Sequence, residues 1–118
     1  MKIQKALVFY KRSAYETHFE RRKGSVLSKW KRMGDEGLKQ AQKAHKAHYD
    51  ALGRVETALK FFKIPYDLCS RGKEFHAGAY DFFISVGGDG TFFDVARRLK
   101  SELILGVNSD PERSIDIF

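Results

Sequence analysis

The five residues Gly87-Gly88-Asp89-Gly90-Thr91 put a carboxylate in the middle of a glycine turn, with apolar residues on both sides of it. Glycines let a backbone bend sharply and let a ligand approach it closely. Between a strand and a helix, such a turn also presents the unpaired N–H groups of the helix N-terminus, an arrangement that receives phosphate. Asp89 repels a bare phosphate, so it needs another role. It can hold a Mg²⁺ that bridges phosphates, or accept the proton of a hydroxyl that attacks phosphorus. Both are phosphoryl-transfer chemistry. The structural alternative is an aspartate that shapes the turn or caps the following helix. The turn is not a Walker A loop, because Thr91 and Phe92 stand where a Lys should follow the last glycine, and its glycines are not spaced as in the dinucleotide fingerprint.

The flanking pattern supplies the strand and the helix that this chemistry needs. "YDFFISVGG" (residues 80–88) reads as a buried strand and "TFFDVARRLK" (91–100) as a helix, with Asp94 early and Arg97, Arg98 and Lys100 late, as the helix dipole favours. "IQKALVFYKR" (3–12) and "ELILGVN" (102–108) read as further buried strands, and "PYDLCSR" (65–71) as a short one. From Ser25 to Phe62 the period is helical. "GDEG" (34–37) is expected to interrupt it, with Asp35 capping a second helix whose apolar stripe is Leu38, Ala41, Ala44, Ala47, Leu52, Val55, Leu59 and Phe62, ended by Pro65. Strands alternating with helices predict an α/β fold: a Rossmann-like or flavodoxin-like three-layer domain on a mostly parallel sheet. Phe61, Phe62, Phe82, Phe83, Phe92 and Phe93 are expected in its core.

A chain of 118 residues with 42% apolar residues suits a single domain, 1–118, with one core. No apolar run is long enough to span a bilayer, so no membrane partner is expected. Cys69, the sole cysteine, has no intrachain partner, which fits a reducing, cytoplasmic setting. It reads as a buried thiol, although Arg71 close in sequence could lower its pKa. The net charge of +7 is concentrated in residues 1–63, which hold 16 Lys and Arg against 6 Asp and Glu, notably in "RRKG" (21–24) and "KWKR" (29–32). Such an excess either attracts polyanions or simply solvates a helix face. Nucleic acid is not the expected partner, since no recognition motif organises the basic residues. His45 and His48 lie one helical turn apart but have no third ligand near them in sequence, and they read as a polar helix flank rather than a metal pair; His18 and His76 stand alone.

The Gly-Gly-Asp-Gly-Thr turn after a buried strand resembles the motif of the NAD kinase superfamily, which also holds diacylglycerol and sphingosine kinases. "ILGVNSDPERS" (104–114) is similar to the Gly-x-Asn segment of NAD kinases, the mitochondrial-type enzymes in particular, and "LVFYKRSAYE" (7–16) suits the same subgroup. The resemblance implies transfer of phosphate from ATP, or polyphosphate, to the 2′-hydroxyl on the adenosine ribose of NAD, with Mg²⁺, in a homo-oligomer. It implies Asp89 as the general base or hydroxyl-orienting group, Gly87, Gly88, Gly90 and Thr91 along the phosphate path, and Asn108 on the dinucleotide. Arg113 and Ser114 would contact phosphate or partner. Lys11, Arg12 and Ser13 either meet the ATP phosphates or form a solvated loop. Phe92-Phe93 replaces the aliphatic pair usual after the threonine. The β-rich C-terminal domain of the family, with its Asn-Glu motif, would lie beyond Phe118; without it the segment is expected to be inactive. A lipid kinase domain and a non-catalytic basic module that binds polyanions are the alternatives.

Overall fold

The computed structural model describes residues 2–13, 15–17 and 24–111, with the backbone alone for 24–35. Strands β1 (Ala6–Tyr10), β2 (Tyr66–Ser70), β3 (Phe82–Gly87) and β4 (Leu103–Asn108) form a four-stranded sheet in the order β2-β1-β3-β4, each neighbouring pair parallel. Helix α1 (Gly24–Phe61) joins β1 to β2, a 3₁₀ turn at Ala77–Ala79 lies between β2 and β3, and α2 (Asp89–Ala96) joins β3 to β4. This is the Rossmann-like α/β arrangement that the alternating pattern predicts.

The alternation within β1 explains the three layers. Ala6 and Val8 face α1, where they meet Leu52, Leu59, Ile84 and Val86. Leu7 and Phe9 face the other way, onto Cys69, Phe83 and Val95, with Phe75, Ala77 and Tyr80 of the β2–β3 connection closing that side. Residues 6–9 are therefore buried on both faces, the reason this strand is a continuous apolar run.

Helix α1 is one continuous element through Gly34, Asp35 and Gly37, not two helices split at "GDEG". An internal glycine weakens a helix by about 1 kcal/mol without breaking it. Its end is set before Pro65. Lys63 takes a left-handed conformation (φ 57°), its N–H donating to the Lys60 carbonyl and that of Ile64 to Leu59. This is a Schellman turn. Ile64 thereby takes the core place expected of Phe62, and Phe61 and Phe62 are left 77% and 68% exposed. Phe83 is buried as expected, whereas Phe93 lies on the outer side of α2, 55% exposed.

At the other end, α2 stops at Ala96 instead of running to Lys100, because Arg98 and Leu99 donate to carbonyls three residues back and tighten the chain into a turn. β4 is an edge strand: Ile104 joins the core, but Leu103 and Leu105, on the α1 side of the sheet, stay about half exposed, so it is not the fully buried strand its composition suggests. Among the described residues, no helix is long and apolar enough to cross a membrane.

Candidate functional site

With the order β2-β1-β3-β4, the connections leave β1 and β3 toward opposite sides of the sheet, so the carboxyl ends of these two strands open a crevice, where ligands bind in open α/β sheets. Lys11, Arg12 and Ser13 follow β1, the Gly87–Thr91 turn ends β3 and starts α2, and Asn108 and Ser109 close β4.

The turn is built around Gly87. A Cβ placed there would stand 2.6 Å from Thr91 Oγ1 and 3.2 Å from Lys11 Cγ, so only glycine fits between these side chains. Gly88 is the N-cap, its carbonyl accepting from the Phe92 N–H, and α2 thus begins at Asp89, two residues before the predicted start. Asp89 is exposed in the first turn, and its carboxylate makes no hydrogen bond or ion pair among the described residues. Thr91 is buried, and its hydroxyl, aimed at Gly87, has no hydrogen-bond partner among the described residues.

Backbone bonds tie the neighbouring loops to this turn. The Ser109 N–H donates to the Gly87 carbonyl at 3.1 Å, and the Lys11 N–H to the Val86 carbonyl at 3.2 Å. Asn108 pairs with Gly87 in the sheet register, so the two motifs singled out in the sequence meet at one strand end. Asn108 Oδ1 accepts the Asp110 N–H at 3.1 Å, which folds the segment back on itself. Arg113 and Ser114 lie outside the described residues, as do His18 and Arg21–Lys23; the side chains of Lys29–Arg32 are likewise not described.

Of the three polar residues after β1, Lys11 places its side chain against Gly87 of the turn. Arg12 pairs with Glu16 at 3.1 Å. Ser13 is buried, accepts the Glu16 N–H at 3.0 Å and bonds His45 Nδ1 at 2.6 Å. Glu16 also accepts the Tyr49 hydroxyl. Burial pushes the Glu16 carboxyl up, but the Tyr49 and Arg12 hydrogen bonds outweigh it and hold it below the ordinary value.

His48 departs most from its reading as a solvated flank, being 1% exposed. A carbonyl only accepts, so His48 Nε2–H donates to the Lys11 carbonyl (2.5 Å), leaving Nδ1 to accept the Ser109 hydroxyl (2.7 Å). Burial lowers the pKa of this neutral ring. One side chain of α1 thus pins the loops after β1 and β4. Two further residues, Arg71 and Asp94, were not expected at this site. Arg71, after β2, has its guanidinium against Gly90, 3.6 Å from where a Cβ would lie. Asp94, buried in α2, holds Arg97 at 2.5 Å, Arg71 at 3.4 Å and Arg98 at 3.5 Å.

Cys69 is buried, and burial raises its thiol pKa instead of the nearby cations lowering it. Among the described residues, no three His, Cys, Asp or Glu side chains converge on a metal site. Mg²⁺ held mainly by substrate phosphates needs only one or two protein carboxylates, and the uncommitted Asp89 fits that mode.

No protein-family model matches the chain, and no curated protein matches it.

Proposed function

We propose that this domain is the nucleotide-binding part of a phosphotransferase of the NAD kinase kind, which moves a phosphoryl group from ATP or polyphosphate to the 2′-hydroxyl on the adenosine ribose of NAD. The observation that supports it is the exposed, uncommitted carboxylate of Asp89 at the mouth of a parallel sheet, in a turn whose first glycine pairs with Asn108. A capping or turn-shaping aspartate would be bonded to nearby N–H groups; Asp89 is not, and no side chain caps α2.

In this reading Asp89 takes the proton of the 2′-hydroxyl as its oxygen bonds the terminal phosphorus and the bond from that phosphorus to the leaving nucleotide breaks. The N–H groups of the turn and Lys11 receive phosphate charge. Mg²⁺ carried by the substrate phosphates would neutralise charge on the transferred group. Asn108 orients the dinucleotide.

The test is NADP formation from NAD and ATP, or polyphosphate, by an active form of the protein and by its Asp89→Asn variant. Activity that the substitution abolishes is expected. Phosphorylation of diacylglycerol with none of NAD would move the assignment to a lipid kinase. Anion binding without turnover, indifferent to Asp89→Asn, would favour the polyanion-binding module.

A further inference from the structure

The cations around the glycine turn differ in how they are held. Arg97 lies 74% exposed on the outer side of α2, and Arg98 is stacked over the rings of Phe9 and Phe75. Arg71 is different. It arrives from β2, across β1, its backbone N–H donating to the Tyr10 carbonyl at 2.7 Å and so carrying the parallel ladder one step past the strand. Its Nε faces Asp94 Oδ2 at 3.4 Å. That ion pair holds the guanidinium beside the turn, with Nη1 and Nη2 3.6 and 3.8 Å from the position a Cβ on Gly90 would take. A guanidinium oriented through one nitrogen, with two others directed at a helix N-terminus, has the geometry that recognises an oxyanion with two oxygens.

A second observation points to a ligand at the same turn. Thr91 Oγ1, in a residue 1% exposed, is aimed at Gly87 and has no hydrogen-bond partner among the described residues. Buried hydroxyls are nearly always hydrogen-bonded, so this one stands ready for an acceptor. The Lys11 side chain passes Gly87, its Cγ 3.2 Å from where a Cβ there would lie.

We propose that Arg71 is a binding residue of this site, its guanidinium contacting a phosphoryl oxyanion seated on the Gly87–Thr91 turn. The proposal rests on the reading of that turn as a phosphate site. Two groups share this chemistry, the phosphate chain of the donor and the pyrophosphate of the dinucleotide.

The test compares binding of ATP, inorganic tripolyphosphate and NAD to the protein and to its Arg71→Ala, Arg71→Lys and Arg97→Ala variants. Arg97→Ala also removes a partner of Asp94 but leaves the turn alone, and it is the control for a purely structural effect. Arg71→Ala is expected to weaken binding by roughly 10- to 100-fold, as loss of a charged hydrogen bond does, with partial recovery in Arg71→Lys and no change in Arg97→Ala. A loss confined to ATP and tripolyphosphate assigns Arg71 to the donor, and one confined to NAD to the acceptor. Undiminished binding of all three by Arg71→Ala, or an equal loss in Arg97→Ala, overturns the proposal. If the unaltered protein binds none of the three, both the proposal and the phosphotransfer reading fail. Tripolyphosphate binding through Arg71, with diacylglycerol phosphorylated and NAD not, would keep the anion site and reject the NAD kinase reading alone.

Discussion

His48 on α1 and Ser109 after β4 meet through a 2.7 Å hydrogen bond, although 61 residues separate them. The same imidazole donates to the Lys11 carbonyl, so it holds two sides of the crevice at once. His48→Ala removes both bonds and leaves a hole, and should destabilise the domain by about 2–4 kcal/mol in urea unfolding.

His48 also predicts how stability depends on pH. Burial lowers its pKa in the folded chain from the ordinary 6.5, Lys11 and His45 favour the neutral ring, and the Lys11 carbonyl and Glu16 oppose them. Below pH 6.5 the unfolded chain therefore takes up the proton first. Stability should be complete above that value and fall as pH drops toward the folded-state pKa. Unfolding midpoints between pH 5 and 8 should show the decline, and His48→Gln should flatten it.

Gly87→Ala should cost about 2–4 kcal/mol, because the new methyl overlaps Thr91 Oγ1 and Cβ. Gly53, with open space around its Cβ position, is the control: Gly53→Ala should stabilise α1 by about 0.5–1 kcal/mol. Equal effects at the two positions would contradict the geometry of the turn.

Asp89→Asn removes a carboxylate with no partner among the described residues, so circular dichroism and melting temperature should not change. In an active form of the protein, kcat should fall about 10²- to 10⁴-fold with KM for ATP nearly constant. Near-normal turnover would remove Asp89 from the chemistry.

Lys63→Gly should stabilise the domain by about 1 kcal/mol, since Lys63 sits at the left-handed position of the Schellman turn, where a Cβ is unfavourable. A chemical-denaturation midpoint that moves down instead would show that the Lys63 side chain makes a compensating contact.

Much of this fold is legible in the sequence because β1 and β3 are buried on both faces, β1 as an unbroken apolar run and β3 with Ser85 as its one polar break. The Gly-Gly-Asp-Gly-Thr turn is legible too, since it begins on Gly87, the last residue of a recognisable strand. What is not legible depends on sheet order. Arg71 reaches Gly90 because β2 is the neighbour of β1, a pairing that no local pattern announces. His48 looks like a surface histidine until α1 is laid across the ends of β1 and β4. The glycines at "GDEG" mislead for a different reason: their cost is small compared with the cooperativity of a long helix.

The Lys11–Val86 and Ser109–Gly87 backbone bonds have a mechanical consequence. They weld the ends of β1, β3 and β4 into one plate, reinforced from below by His48. Such a plate serves as an anvil and not as a jaw. Its shape is ready before any ligand arrives, little ordering cost is left for binding to meet, and any grip that tightens over a bound molecule has to come from outside these three strand ends.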